Sequence, residues 1–212
     1  FCPRCGNTYI EHFPNNKPVA DFFCPKCQCE YELKSKNGKL LHKINDGAYD
    51  TMIARINSRQ NPDFFFMNYS LERRCVVDFL LIPKHFFVPA IIEKRKALSV
   101  TAKRAGWVGC NILINEIPKQ GQIHIITNGE CETPSEIVKK VHESDKLRIQ
   151  NINARGWLME VLKCVNQIDA HEFTLNEIYA FEDVLSQKYP LNKNIKPKIR
   201  QQLQLLRDKE II

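Results

Sequence analysis

The first half of the chain contains short, nearly continuous apolar runs, whereas the last third has a helical pattern. Asp63–Tyr69 and Val76–Ile82 are rich in aromatic and β-branched residues. Runs of this length and composition are typical of strands that are buried on both faces. Gln122–Thr127 predicts a further strand. We therefore expect a β-sheet in the first half, with other elements packed on both of its sides.

Other elements of the first half are predicted from turn and capping signals. Two strands are expected near the N-terminus, Pro18–Phe23 and Glu30–Ser35, joined by a turn. Ala48–Asn57 predicts a helix, with Asp46 as a candidate N-cap residue. A later helix should begin at Thr133-Pro-Ser-Glu, since this combines a capping box with proline in the first turn.

The last third of the chain predicts helices and few strands. They are expected over Arg155–Ile168, from the capping box at Thr174-Leu-Asn-Glu to about Lys188, and over Ile195–Lys209. Helices of these lengths in succession fit a winged helix whose last helix leads into the wing. We therefore expect an α/β domain over residues 1–148 and an all-α, winged-helix domain over residues 149–212, with the wing truncated.

Composition narrows the choice of function only slightly. The net charge of +7 and the pI of about 8.9 suit a partner such as nucleic acid or an anionic membrane. Many basic proteins bind neither, so charge is weak evidence. No stretch approaches the roughly 20 apolar residues of a membrane span, and no signal peptide precedes Cys2. We expect a cytoplasmic protein without a membrane partner, and we expect the sequence, which starts without Met, to be a fragment.

The cysteines give the strongest local signal. Four of the nine form two Cys-x-x-Cys pairs, Cys2 with Cys5 and Cys24 with Cys27. Two such turns complete a tetrahedral four-sulfur zinc site, and the spacing between the pairs is typical of a zinc ribbon. Redox-active dithiols are the alternative, but they require a thioredoxin-like context that the sequence lacks. Cys29 is the plausible competing ligand. We therefore predict a structural zinc ion.

Three charged residues flank the second cysteine pair. Asp21 lies on the first strand of the predicted hairpin, and Glu32 and Lys34 lie on one face of the second, because side chains alternate along a strand. If the hairpin pairs around the zinc turn, Asp21 and Glu32 could hold Mg²⁺ through carboxylate oxygens. Lys34 could then orient a water molecule or stabilise developing charge. Such patterns more often form a solvated, ion-paired strand face, but the apolar neighbours of Asp21 make an idle carboxylate there costly.

Long distinctive segments occur along almost the whole chain, among them Pro18–Cys24, Tyr31–Lys36, Ile44–Tyr49, Arg104–Asn111 and Lys198–Ile212. In these segments the sequence resembles the DpnI family of restriction endonucleases. The resemblance implies a zinc-containing PD-(D/E)XK nuclease domain followed by a winged helix, each reading methylated DNA. It also implies cleavage of GATC sites whose adenine is N6-methylated. Relative to the family, this sequence is expected to lack an N-terminal stretch and the C-terminal wing.

Arg104 and Trp107 are candidate residues for recognition of the methyl group. Arg104-Ala-Gly-Trp combines a cation, a flexible glycine and a large aromatic ring. By composition alone, Trp107 is better explained as a core residue, but the resemblance implies that it contributes to methyl-adenine sensing. Trp157 lies among apolar residues at helical spacing, and we interpret it as core.

Two basic regions are candidate DNA contacts. Glu93–Lys96 with Lys103-Arg104 could bind phosphates beside a nuclease centre, although a solvated surface is the simpler interpretation. In the last predicted helix, one side could enter a major groove, with glutamine amides able to read adenine. The residues of that side are Lys198, Arg200, Gln201 and Gln202.

Three functions remain open at this point. The first is a methylation-dependent restriction endonuclease that cleaves double-stranded DNA by metal-assisted hydrolysis and acts as a monomer. The second is a zinc-ribbon and winged-helix DNA-binding regulator without catalysis. A nuclease for other nucleic acids is a weaker third hypothesis. Asp21, Glu32 and Lys34 discriminate between the first two, because a regulator has no need for paired carboxylates on neighbouring strands.

Overall fold

The computed structural model describes residues 1–14, 20–38, 42–58, 61–168, 170 and 172–212. Within them the strands are β1 (Glu11–His12), β2 (Phe22–Phe23), β3 (Glu30–Asn37), β4 (Lys43–Ala48), β5 (Asp63–Ser70), β6 (Cys75–Ile82), β7 (Ile92–Lys94), β8 (Gly109–Leu113), β9 (Ile123–Thr127) and β10 (Glu130–Cys131). The α-helices are α1 (Tyr49–Asn57), α2 (Pro134–Asp145), α3 (Ile152–Ile168), α4 (Leu175–Tyr179), α5 (Glu182–Lys188) and α6 (Ile195–Asp208). None of the described helices is long and apolar enough to cross a membrane.

The larger sheet has the strand order β1-β2-β3-β5-β6-β9-β10. Strands β3 and β5 are parallel, and the other neighbours are antiparallel. The predicted N-terminal hairpin is confirmed where it is described, with Phe22 opposite Tyr31 and Phe23 opposite Glu30. Pro18 and Val19, which the prediction placed in the first strand, lie outside the described residues.

The central strands are buried on both faces, as their continuous apolar runs predict. Phe64 and Phe66 of β5 belong to one hydrophobic cluster, whereas Phe65, between them, belongs to the other. Helix α2 contributes Ile137 and Val141 to the cluster around Phe65. The alternation of side chains along a strand therefore divides the apolar residues of β5 between two cores.

A second, smaller sheet with the order β4-β8-β7 was not predicted from the sequence. Its strand β4 corrects the role assigned to Asp46. Helix α1 begins at Tyr49 and its N-cap position is Ala48, without a side-chain capping bond. Asp46 pairs with Cys110 in the sheet, and the register shifts between Asp46 and Ala48. Because strand pairing holds Asp46 ahead of the first turn, it does not cap the helix.

The last third is helical, with boundaries that differ from the prediction. Helix α3 starts three residues earlier than expected, at Ile152. The single helix predicted from Thr174 to Lys188 is divided into α4 and α5, with Ala180 and Phe181 between them, the latter at φ −85° and ψ 5°. The predicted capping boxes mark real helix starts: Thr133 accepts a hydrogen bond from the amide of Glu136 in α2, and a full capping box opens α4.

The helical part packs directly on the sheet-containing part. One apolar cluster includes Met52 and Phe64 from the first part and Leu158 and Ile199 from the second. Polar contacts also cross this boundary: the guanidinium of Arg155 donates to the carbonyl oxygen of Ile56 at 3.2 Å. Among the described residues, one of the two apolar cores is therefore continuous between the two parts of the chain.

Candidate metal sites and nucleic-acid interface

The sulfur atoms of the two Cys-x-x-Cys pairs converge. Cys2 and Cys27 have an Sγ–Sγ distance of 3.7 Å, Cys5 and Cys24 one of 3.6 Å, and all the Sγ atoms of the group lie within 4.8 Å of one another. A tetrahedral zinc site with Zn–S bonds of about 2.3 Å requires sulfur separations of about 3.8 Å. None of these cysteines forms a disulfide, and Cys29 is not part of the group. The cluster could therefore hold a metal ion such as zinc.

The sheet and a buried ion pair fix the position of this cluster. Cys24 and Cys27 lie in the turn between β2 and β3, while Cys2 is 3.1 Å from the phenolic oxygen of Tyr31 on β3. Between Cys2 and Cys5, the guanidinium of Arg4 pairs with Asp63 at 3.1 Å and with Asp145 at 2.8 Å. These contacts connect the N-terminal segment to β5 and to the end of α2.

Asp21, Glu32 and Lys34 lie close together along the β2–β3 hairpin. The amide of Asp21 donates to the carbonyl oxygen of Tyr31, and one carboxylate oxygen of Asp21 accepts from the amide of Leu33 at 2.7 Å. Continuing the β2–β3 register by one pair places Asp21 opposite Glu32. Tyr31 and Leu33 face the cysteine cluster, so Glu32 and Lys34 point to the other face of the sheet.

On that face, Lys34 is held between two carboxylates. Its Nζ atom is 2.6 Å from an oxygen of Glu32 and 2.6 Å from an oxygen of Asp46 on β4. The second oxygen of Glu32 accepts from the guanidinium of Arg55 on α1 at 3.0 Å. Asp46 and Arg55 were missed as site residues because they come from another sheet and a helix. The signal available in the sequence was that Asp46 falls within a segment that carries the resemblance.

Burial and neighbouring charges shift the pKa values of Glu32 and Lys34 in opposite directions. Burial has the largest influence on Glu32 and raises the pKa of its carboxyl, although the ammonium of Lys34 favours the ionised form. Burial alone would lower the pKa of Lys34, but the carboxylates of Glu32 and Asp46 outweigh it and raise that pKa. Lys34 is therefore held as an ammonium.

The carboxylates suit a hard divalent cation in donor type, because Mg²⁺ prefers oxygen ligands. Asp21 immediately precedes β2 and lies opposite Glu32 of β3, so the two carboxylates could supply such oxygens together. Their oxygens do not form a ready cage, however. Among the described residues, the cysteine cluster is the one group in which three or more candidate ligand atoms converge within 4.8 Å. A cation bound by Glu32 would have to compete with its partners Lys34 and Arg55.

Trp107 is half-buried beside the second sheet. The guanidinium of Arg104 stacks 4.5 Å from the centre of its ring. A Cβ atom at position 109 would lie 2.7 Å from the indole ring of Trp107, so only glycine at this position leaves room for the ring. Gly109 pairs with Ala48, two residues from Asp46. The indole is partly accessible, and the backbone of Trp107 lies two residues from the position that pairs with Ala48, at the end of β4.

The residues of α6 that were proposed for groove contact differ in their exposure to solvent. Arg200 and Gln201 are exposed, and Lys198 is half-buried with its Nζ atom 2.7 Å from the amide oxygen of Gln201. Gln202 is only 1% exposed and packs on the side of Ile199 and Leu206. Its spacing from those two residues already places it on the apolar face, so Gln202 is not positioned to read a base. The core assignment of Trp157 is supported: it is buried and stacks on Tyr189.

Comparison with known families accounts for nearly the whole chain. Residues 1–150 match the DpnI model, described as the Dam-replacing family, and residues 153–212 match a second DpnI model, described as the Dam-replacing HTH domain. These matches support a nuclease that acts in restriction and binds DNA, and they confirm the resemblance inferred from the sequence. The chain belongs to the DpnI, or Dam-replacing, family of restriction nucleases.

Proposed function

We propose that this protein is a methylation-dependent endonuclease that cleaves double-stranded DNA at GATC sites containing N6-methyladenine. In this proposal residues 1–148 form a PD-(D/E)XK nuclease domain with an inserted zinc ribbon. Residues 149–212 form a winged-helix DNA-binding domain. The observation that carries the proposal is the arrangement of Asp21, Glu32 and Lys34 around the β2–β3 hairpin in a member of this family.

Each of these three residues has a distinct role in hydrolysis of the phosphodiester. The carboxylates of Asp21 and Glu32 would hold a divalent cation such as Mg²⁺. Such a cation, when bound, polarises the phosphate and lowers the pKa of a bound water molecule. Lys34 contributes a fixed positive charge that orients the attacking water and stabilises the extra negative charge on the phosphate in the transition state.

The cysteine cluster has a structural role in this proposal. Cys2, Cys5, Cys24 and Cys27 bind one zinc ion, and four sulfur ligands leave no open position for catalysis. Cys24 and Cys27 lie in the turn between β2, which Asp21 immediately precedes, and β3, which carries Glu32, so the zinc ion braces the hairpin that carries the active site.

DNA recognition would combine two surfaces. Trp107, with Arg104 stacked on it, packs against the methyl group of adenine, which is a small apolar target in the major groove. On α6, Lys198, Arg200 and Gln201 contact DNA, and Gln202 is left out because it is buried. The backbone contacts supply most of the affinity, and the methyl contact supplies selectivity.

The proposal is tested with one plasmid prepared in two forms, with and without N6-methylation of its GATC adenines. The full chain with Mg²⁺ should cut both strands of the methylated form and leave the other form intact, and chelation of the cation should stop the reaction. Cleavage of both forms would contradict methylation dependence. Binding without cleavage of either form would favour the DNA-binding regulator.

A further inference from the structure

Asp46 makes a contact that the proposed mechanism does not yet use. Its side chain is 5% exposed and lies 2.6 Å from the Nζ atom of Lys34. Asp46 belongs to the smaller sheet, whereas Lys34 belongs to the larger one. The contact therefore joins the two sheets at the amine that the mechanism requires.

The backbone around Asp46 is adapted to this contact. The register between β4 and β8 shifts between Asp46 and Ala48, so Gly47 is an extra residue on β4. A β-bulge of this kind redirects neighbouring side chains, and bulges are frequent beside active sites. Without the extra residue, the side chain of Asp46 would point to the face of the sheet that the regular alternation of side chains along β4 gives it.

We propose that Asp46 is a positioning residue that holds the ammonium group of Lys34 in place for the reaction; this rests on the proposed function. A lysine side chain is long and flexible, so it needs partners to fix its charged end. Glu32 is one partner, but a cation bound to Glu32 would weaken its attraction for Lys34. Asp46 remains as the anchor at that stage.

A different role for Asp46 would be that of a third cation ligand. The described residues do not favour it, because no three acidic side chains among them converge on one point as the four cysteine side chains do. The two roles predict different kinetics. Loss of a ligand raises the Mg²⁺ concentration needed for half-maximal rate, whereas loss of the anchor lowers the rate at saturating Mg²⁺.

The test uses Asp46→Asn in the full chain, with Asp50→Asn as the control, since Asp50 is an exposed acidic residue on the adjoining helix α1. Single-turnover cleavage of methylated DNA is measured over a range of DNA and Mg²⁺ concentrations. We expect Asp46→Asn to lower the maximal rate about 10- to 100-fold, as for other residues that orient catalytic groups. The KM for DNA and the half-saturating Mg²⁺ concentration should stay unchanged. Asp50→Asn should behave as the wild type.

A double variant separates positioning of Lys34 from a general loss of structure. With Lys34→Met already present, Asp46→Asn should reduce the residual rate by less than about twofold, because the group that it holds is gone. Independent, multiplying losses would overturn the proposal. So would an unchanged rate for Asp46→Asn, or a raised half-saturating Mg²⁺ concentration.

If the wild type does not cleave methylated DNA, the proposed function fails, and the pairing is tested by stability. Urea unfolding of Asp46→Asn, Lys34→Met and the double variant then measures the contact without any substrate. Each single substitution lowers the folded-to-unfolded ratio by some factor, and for independent side chains the two factors would multiply. Because the two side chains interact, the ratio of the double variant should be at least about threefold higher than that product predicts. A ratio equal to that product would show that Asp46 does not hold Lys34.

Discussion

Glu32 and Lys34 illustrate which site residues can be derived from sequence. They lie two apart on one strand, so the alternation of side chains places them on the same face, and they form an ion pair at 2.6 Å. Asp46 and Arg55 complete the same group, but they come from β4 and α1. Local patterns do not specify how a second sheet packs on the first, and the sequence therefore revealed only half of this charged cluster.

The prediction that both neighbouring glutamines of α6 contact DNA is wrong for Gln202, and helical periodicity explains why. Gln201 is exposed, whereas Gln202 is buried beside Leu203 and Leu206. Hydrogen-bonding capacity suggested that both read adenine. The helical spacing of Gln202 from the apolar residues decides its position, because burial of that face stabilises the helix on its neighbours.

Replacement of Trp107 should affect the cleavage of methylated DNA selectively. Trp107→Ala removes the surface that packs on the methyl group, so the rate advantage of methylated over unmethylated DNA should fall. The expected loss corresponds to about 1–3 kcal/mol, as for one methylene in an apolar pocket. Cleavage rates and DNA affinity are measured together for the full chain, and affinity should change little because phosphate contacts dominate it.

Trp107→Phe is the matched control, since it keeps an aromatic surface and should retain most of the selectivity. If Trp107→Ala left the ratio of the two cleavage rates unchanged, the indole would be a packing residue between Arg104 and Gly109.

At the scale of elements, the β2–β3 hairpin is the part of the fold best predicted from sequence. The spacing of the two cysteine pairs predicted a turn between two strands, and the convergence of the sulfur atoms agrees with that prediction. The division between α4 and α5 was missed, because both lie on one stretch of helical periodicity and Phe181 carries no glycine or proline signal.

Loss of the zinc ion should weaken this hairpin. Cys24→Ser removes one ligand, and we expect the zinc content to fall from one ion per chain to near zero and the stability to fall by several kcal/mol, since metal binding contributes directly to folding. Metal analysis and urea unfolding measure the two effects. Cys75→Ser is the control, because Cys75 is exposed and lies outside the cluster. Full zinc retention in Cys24→Ser would contradict the four-sulfur site.

At the scale of the whole molecule, the two parts share one apolar core. The sequence predicted a change from an α/β part to a helical part, but it gave no sign that Leu158 and Ile199 would join the cluster of Met52 and Phe64. Such contacts depend on how the helices of the second part pack on the elements of the first part, and local sequence patterns do not specify that packing. The first family match ends at residue 150 and the second begins at residue 153. The apolar cluster contains residues from both sides of this boundary.

Because the core is continuous, we expect both parts to unfold together. The chain has two tryptophans, one in each part. In the variant Trp107→Phe, fluorescence reports only Trp157 in the helical part, while far-UV circular dichroism reports the whole chain. The two urea transitions should have the same midpoint. Separate midpoints would show that the helical part unfolds independently.

If Glu32 and Lys34 form a nuclease centre, the variants Glu32→Ala and Lys34→Ala should fail to cleave methylated DNA. With Mg²⁺ present, each substitution should lower the single-turnover rate by a factor of about 10³ or more, because each removes several kcal/mol of transition-state stabilisation. Binding of the same DNA, measured in parallel, should persist in both variants. A Glu32→Ala protein that cuts at nearly the wild-type rate would contradict the account.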